Sequence, residues 1–241
     1  MGGSMNRRMF SGGAMLSALP LGACAGRSAK VRYRVIATFE LDGERVEAST
    51  VMEVQYWRVV GSSTRGGDGG SYGEALIFDI KGRGTVFLLP MENQQGSPGY
   101  LYESVIPVTL GIRRGVGSYE NEDFDVLNNA SGRMPLYTNG NIRLPVFVAF
   151  KDEQIPNTVY EVKPKDMAAT FGPGVRFIGL EIEITNAPIT NVLVKRLPWL
   201  DKNHPMANKF DRDPPGKQRA DRDSPIGYKI WNSSFFGTRS Y

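Results

Sequence analysis

The chain has 241 residues, of which 41% are hydrophobic and 22% are charged, and its formal net charge is +4. This composition is typical of a globular protein with enough residues for one large domain or two small ones. A single histidine and a single cysteine disfavour a zinc site built from several such ligands, and basic residues interleaved with acids predict no nucleic-acid partner.

The first residues have the layout of a secretory signal peptide. Arg7 and Arg8 are followed by an apolar run from 14 to 23, which is too short to span a membrane. The run ends in Leu21-Gly22-Ala23-Cys24, which resembles the lipobox of bacterial lipoproteins. That resemblance implies cleavage before Cys24 and diacylglycerol on its thiol. Residues 1–23 are then a signal peptide, and 24–30 a lipidated N-terminus and tether.

Two further resemblances concern export and sorting. Arg7-Arg8-Met9-Phe10 is similar to the twin-arginine export signal, which implies that the protein folds before it crosses the membrane. Two arginines also suit the ordinary unfolded route. Ala25 after the cysteine, in place of aspartate, resembles the outer-membrane sorting pattern. We therefore expect a bacterial cell-envelope protein that faces the periplasm, anchored in the outer rather than the inner membrane.

The clearest structural signal is a β-hairpin over 31–58. Apolar side chains alternate from Val31 to Leu41, and again from Val46 to Tyr56. Between the two runs stands Asp42-Gly43, a strong two-residue hairpin turn. The pattern predicts two long antiparallel strands, each buried on one face.

The rest of the chain to residue 200 predicts short strands separated by loops. We expect loops at 61–73 and 91–99, irregular structure over 111–141, and a strand or short helix over 100–110, where Pro107 argues against a long helix. Asp166 is placed to cap one or two helical turns before Gly172. The sequence thus predicts a mainly β fold: an antiparallel β-sandwich-like domain over 31–200, with long loops and little helix. The strands are predicted at 74–80, 85–89, 144–150, 159–162 and 175–185, with a further apolar stretch at 192–194.

The C-terminal part changes character. Residues 201–223 mix lysine, arginine and aspartate with proline and glycine, which predicts a charged, disordered linker. Residues 224–241 then restore aromatic side chains. These aromatics either pack onto their own domain or dock on a partner, and we favour packing onto the domain because most such side chains belong to a core.

The candidate binding residues are few. Four carboxylates are crowded between residues 120 and 125. Carboxylates this close together can bind a hard cation or serve glycoside hydrolysis, although a solvated acidic loop neutralised by Arg113-Arg114 is the simpler expectation. Trp57, Trp199 and Trp231 offer a sugar-stacking face, but three tryptophans far apart in sequence more often belong to a core and its rim. His204 is expected in an exposed loop, and neither a nucleophile elbow nor a P-loop occurs, so we assign no catalytic residue, metal or cofactor. The candidates are Glu120, Glu122, Asp123, Asp125, Trp199 and Trp231.

Asp166–Leu200 is loosely similar to parts of uncharacterised bacterial envelope proteins, a resemblance that implies no activity. The function that fits best is a lipid-anchored envelope protein with a non-enzymatic binding, scaffolding or assembly role, whose partners are the membrane and another envelope protein. The alternatives are an envelope hydrolase that uses carboxylates on a glycan, and an inhibitor or immunity lipoprotein.

Overall fold

A computed structural model of the chain confirms the mainly β, sandwich-like class. It describes residues 27–58, 67–92, 100–115, 118–139, 144–207, 209–210 and 226–238. The predicted signal peptide and Cys24 lie outside these residues. The described residues form two antiparallel sheets, a larger one of order β3-β2-β1-β9-β6 and a smaller one of order β4-β5-β7-β8. The strands are β1 Ser28–Leu41, β2 Glu44–Arg58, β3 Gly67–Tyr72, β4 Leu76–Ile80, β5 Gly84–Glu92, β6 Arg133–Pro135, β7 Pro145–Phe150, β8 Val159–Glu161 and β9 Val175–Ile184.

The predicted hairpin forms the centre of the larger sheet. Asp42 and Gly43 both have positive φ, at 52° and 90°, which is the conformation that a tight two-residue turn of this type requires. The turn sets one continuous register from Leu41↔Glu44 to Ser28↔Trp57. Strand β1 therefore begins inside the segment predicted as a tether, because residues 28–30 pair with the last residues of β2.

One core fills the space between the two sheets. The alternate apolar side chains of β1 and β2 face the smaller sheet, and the ring of Phe39 stacks on that of Phe78 with 3.8 Å between the ring centroids. Three helices close the margins of this core. They are α1 Tyr100–Thr109, α2 Asn121–Asn128 and α3 Met167–Phe171.

The smaller sheet is buried on its second face as well. Phe87 and Val148 point away from the first core and belong to a second cluster, in which Phe87 contacts Phe235 and Phe150 contacts Trp199. The covering chain is the C-terminal layer, which we define as the described residues between 193 and 238. It begins with helix α4 (Leu193–Arg196). The buried clusters thus continue past residue 200, and Phe210, which falls in the predicted linker, is only 5% exposed.

Helical structure is more extensive than the sequence indicated. Residues 100–110, where strand and helix were both open, form α1 in spite of Pro107. The predicted irregular region contains α2, and the apolar stretch at 192–194 leads into α4. Conversely, residues 67–72 of the predicted glycine-rich loop form edge strand β3 against β2. The common reason is tertiary packing, which overrides weak local preference in short segments.

The end of the C-terminal layer is joined to the chain segment between β3 and β4. Ala75 donates its N–H to the carbonyl of Phe235, and Gly237 donates to that of Gly73. Thr238 and Ser71 exchange hydrogen bonds, each backbone N–H donating to the other side-chain hydroxyl. The described part of the predicted aromatic segment therefore packs on its own domain.

Gly237 tests this junction. A Cβ atom at this position would lie well inside van der Waals contact of the Ser71 carbonyl group, whereas one at Gly115 would meet nothing within 4 Å. We expect Gly237→Ala to destabilise the protein by about 1–3 kcal/mol because the backbones must separate. Gly115→Ala is the matched control and leaves the midpoint of urea unfolding unchanged. Equal midpoints for the two variants would contradict the described pairing.

Candidate functional site

The acidic run lies on helix α2 rather than in a loop. Glu120 precedes the helix, and Asp123 accepts a hydrogen bond from the Glu120 N–H at 2.8 Å. This is one half of a capping box, in which a side chain in the first turn satisfies a backbone donor. The sequence spacing Glu-x-x-Asp gave a signal for this helix start.

Arginines neutralise most of the run. Arg114 lies 3.0 Å from a carboxylate oxygen of Asp123 and 3.1 Å from one of Glu120, so the predicted neutralisation is observed for this arginine. Arg113 instead lies over the ring of Tyr137. Asp125 pairs with Arg27. Within the described ranges, no group of three or more His, Cys, Asp or Glu side chains is arranged to hold a metal ion.

Helix α2 packs beside the end of the hairpin that is opposite its turn. We call this end, formed by Arg27, Ser28, Trp57 and Arg58, the open end of the hairpin. Arg58 donates its backbone N–H to the carbonyl of Arg27 at 2.8 Å. Helix α2 is thus attached to the N-terminal end of strand β1.

Side chains reinforce this attachment. The Arg27 guanidinium donates to the Asn121 carbonyl at 2.6 Å and to Asp125 at 3.0 Å. Arg58 donates to the carbonyl of Tyr119 and lies 5.7 Å from the ring centroid of Phe124. The open end is therefore tied to α2 by hydrogen bonds, an ion pair and a cation–π contact.

Glu53 is a buried carboxylate on the outer face of the larger sheet. It stands directly opposite Arg32 on β1, and the two side chains are 2.8 Å apart. Lys30 and Gln55 also contact it, at 3.0 and 2.7 Å. Burial acts to raise the pKa of Glu53, but the hydrogen bonds from Gln55, Lys30 and Arg32 outweigh it, so the pKa is lowered from its ordinary value.

Glu74 holds the start of the C-terminal layer. Its two carboxylate oxygens accept the backbone N–H groups of Val192, at 2.7 Å, and of Leu193, at 3.1 Å. Burial raises the pKa of Glu74, and these two hydrogen bonds offset part of that rise. The side chain thereby satisfies donors at the beginning of α4 that no helical carbonyl reaches.

Glu103 joins α1 to the sheet and to the C-terminal layer. Pro107 has no N–H, so the Glu103 carbonyl loses its helical partner, and the Tyr56 hydroxyl donates to that oxygen at 2.9 Å instead. The Glu103 carboxylate accepts a hydrogen bond from the Thr238 hydroxyl. Glu103 therefore links helix α1 to strand β2 and to the C-terminal layer.

A cluster of buried tyrosines surrounds Glu103. The Tyr33 ring centroid lies 5.8 Å from that of Tyr102, and that of Tyr56 lies 5.4 Å from that of Tyr119. Burial raises the pKa of all four phenols above their ordinary value. The four phenols remain neutral near pH 7. The Tyr56 hydroxyl donates a hydrogen bond, whereas that of Tyr33 finds no partner among the described residues, so the cluster acts mainly through packing.

The two candidate tryptophans have different environments. Trp199 is fully buried in the C-terminal layer, and its indole N–H donates to the Glu153 carbonyl at 2.6 Å. Trp231 is 41% exposed. The structure does not bring them together as a stacking face, because only one of the two rings is accessible. Trp231 alone remains a candidate for contact with a partner.

His204 lies in a turn of the C-terminal layer. It is half-buried, and its Nδ1 accepts the backbone N–H of Met206 at 3.1 Å. The imidazole therefore serves to close a turn.

No helix within the described ranges is long and apolar enough to cross a membrane.

Comparison of the chain with models of protein families, with curated protein sequences and with solved structures gives no match.

The buried glutamates Glu53, Glu74 and Glu103 were not among the predicted site residues, but the contact of Glu53 could have been predicted from the sequence. The Asp42-Gly43 turn fixes a register that places Arg32 opposite Glu53, so this ion pair follows from the hairpin alone. The partners of Glu74 and Glu103 lie more than a hundred residues further along the chain, at Val192 and Thr238. No local pattern indicates contacts of that separation.

We expect Glu53→Gln to destabilise the protein by about 1–3 kcal/mol at pH 7, because a buried charge-assisted network loses its acceptor. The control is Glu183→Gln. Glu183 forms the neighbouring cross-strand pair with Arg34, but its side chain is 40% exposed compared with 3% for Glu53. An exposed pair contributes about 0–1 kcal/mol.

The effect of Glu53→Gln depends on pH with a defined sign. Because the pKa of Glu53 is lower in the folded chain, its carboxylate stabilises the fold in full above the unfolded value of about 4.3. That contribution is lost as the pH falls through the folded value. Urea unfolding from pH 7 to pH 3 should show the two proteins converging in acid, and a constant difference would contradict this account.

The two tryptophans give a second contrast in stability. We expect Trp199→Ala to cost about 3–5 kcal/mol, because it opens a cavity between the small sheet and the C-terminal layer. Trp231→Ala should cost less than about 1 kcal/mol, because its ring is largely in solvent. Thermal unfolding followed by circular dichroism measures both. A large loss for Trp231→Ala would assign that ring to the core.

Proposed function

We propose that this chain is a lipid-anchored protein of the bacterial cell envelope, with a non-enzymatic binding, scaffolding or assembly role. The observation that carries the proposal is the position of the lipobox relative to the fold. Cys24 follows Leu21-Gly22-Ala23 in sequence, and strand β1 begins at Ser28, four residues later. A cleaved and acylated chain would thus be a domain that begins at its own anchor.

The chemistry of the described carboxylates supports a structural role. Glu53, Glu74, Glu103 and Asp123 each accept hydrogen bonds from another segment or from the start of their own helix. Groups engaged in this way hold the fold together. A glycan hydrolase needs two carboxylates that converge on a substrate, and these contacts give that alternative no support.

The partner alternatives differ in the surface they require. An inhibitor or immunity lipoprotein needs an accessible contact surface, and the described C-terminal residues bury Ile230 and Phe235 against their own sheet. Trp231 is the exposed aromatic of this segment. Tryptophan is frequent among residues that dominate binding energy at protein interfaces, so Trp231 is the residue that we would vary first in a search for an envelope partner.

The test is expression of the full chain in a bacterium, with membrane fractionation and intact mass. We expect a membrane-bound product that begins at Cys24 and carries the added mass of acyl chains. Cys24→Ala should abolish cleavage and acylation without altering the domain, because the core described above contains no cysteine. Circular dichroism of the variant provides the folding control.

The opposite outcome is equally specific. A soluble, uncleaved product with a free thiol would remove the anchor and the envelope location together.

Twin-arginine export is tested in the same strain by Arg7→Lys/Arg8→Lys, which should block export only if that route is used.

A further inference from the structure

We propose that the open end of the hairpin faces the lipid surface, so that the domain stands on the bilayer with its β1–β2 turn pointing away. This inference rests on the proposed function, because it takes Cys24 as the anchored residue. It adds an orientation and a membrane-facing surface, which the anchor by itself does not define.

The first step is the reach of the chain. A fully extended chain spans at most about 3.6 Å per residue, so the Cα of Arg27 lies within about 11 Å of that of Cys24. Acyl chains on Cys24 would place this residue at the boundary of the hydrocarbon core, beneath a headgroup layer about 5–8 Å thick. Arg27 is then held close to the outer surface of the headgroups.

The second step is the rigidity of the point of attachment. Arg27 is bound to Arg58 through its carbonyl, to Asn121 through a hydrogen bond and to Asp125 through an ion pair. The position of Arg27 therefore fixes the position of the open end and of α2. A longer free linker would leave the orientation undetermined, whereas three residues leave little freedom.

The third step is the direction of the hairpin. Strand β1 runs without interruption from Ser28 to Leu41, and at about 3.3 Å per residue it is roughly 45 Å long. Its two ends cannot both lie close to the bilayer unless the sheet lies flat. The outer face of the larger sheet carries ion pairs, including Arg34–Glu183 and Arg176–Glu40, whose charges neutralise each other and therefore do not draw the sheet flat onto the headgroups.

The open end contacts the lipid surface, and the charges of its two arginines do not select a particular class of lipid. Arg27 is paired with Asp125, and Arg58 is engaged by Asn121 and the carbonyl of Tyr119. Asp125 neutralises Arg27, whereas Arg58 keeps its positive charge because both of these partners are neutral, and a single charge at the open end favours the same orientation on anionic headgroups. The length of the tether sets the distance, so the same orientation is expected on zwitterionic and on anionic membranes.

Two tryptophans report on this orientation. Trp57 pairs with Ser28 in register and so belongs to the open end. Trp231 lies in the C-terminal layer, where the neighbouring Asn232 donates to the Trp199 carbonyl and the Trp199 indole donates to the Glu153 carbonyl. Arg196 joins Glu153 to Asp79, which follows Phe78, and the Phe78 ring stacks on that of Phe39, roughly 36 Å along β1 from Ser28.

The experiment uses the acylated full-length protein in phosphatidylcholine vesicles that contain a lipid with a nitroxide on its headgroup. Trp199→Phe/Trp231→Phe leaves Trp57 as the only tryptophan of the chain, and Trp57→Phe/Trp199→Phe leaves Trp231. We expect quenching of Trp57 to exceed that of Trp231 by about twofold or more, since Trp57 stands at the open end and the neighbours of Trp231 are connected to the turn end of the hairpin. Exchanging a third of the lipid for phosphatidylglycerol should not change this ratio.

The controls separate this inference from the function on which it rests. Cys24→Ala protein mixed with the same vesicles should show no quenching at either tryptophan. If mass spectrometry finds no acyl chains on the wild type, the proposed function fails, and the orientation fails with it. If the protein is acylated and Trp231 is quenched as strongly as Trp57, or if Trp57 is not quenched, the orientation alone is overturned.

Discussion

The fold depends on one constraint, which is that the smaller sheet is apolar on both faces. Residues of β5 alternate between the two cores: Val86 and Leu88 face the larger sheet, while Phe87 and Leu89 face the C-terminal layer. Antiparallel sheets commonly leave one face to solvent, whereas this one has to be covered twice. The hairpin sheet supplies one cover, and the described residues between 193 and 238 supply the other. A two-layer sandwich would expose Phe87 and Val148, so the third layer is an obligatory part of the domain.

Buried carboxylates hold the third layer in place. Glu74 binds the backbone where the layer begins, and Glu103 binds Thr238 near the far end of its described part. Glu103 is available in this geometry because Pro107 frees its carbonyl for Tyr56, which positions α1 against the sheet. Polar groups that are buried and satisfied in this way give a fold a unique arrangement as well as stability. The acidic residues of this chain thus do structural work at the places where the layers meet.

The sequence predicted the fold class and the hairpin well because those features are local. A period of two residues and an Asp-Gly turn determine β1, β2, their register and even the opposition of Arg32 and Glu53. Helix α2 was missed because its short apolar face, Phe124 and Leu127, is hidden within a polar stretch. The third layer was predicted only as an aromatic segment that packs somewhere on the domain. Its attachment depends on contacts between residues 71–75 and 235–238, and periodicity carries no information about contacts so distant in sequence.

The late position of the third layer has a consequence for how the chain folds. The hydrogen bonds between Ser71 and Thr238 connect residues separated by 167 positions, so a large loop must close before they form. Contacts of such long range slow folding. During synthesis, strand β5 emerges long before Ile226, and at about 5–20 residues per second the delay is on the order of ten seconds. Until Ile226 emerges, the second face of the small sheet lacks the part of its cover that residues 226–238 provide, and the nascent chain exposes apolar side chains of that face. A chaperone that shields this face until translation reaches the C-terminal aromatics would reduce aggregation of the incomplete chain.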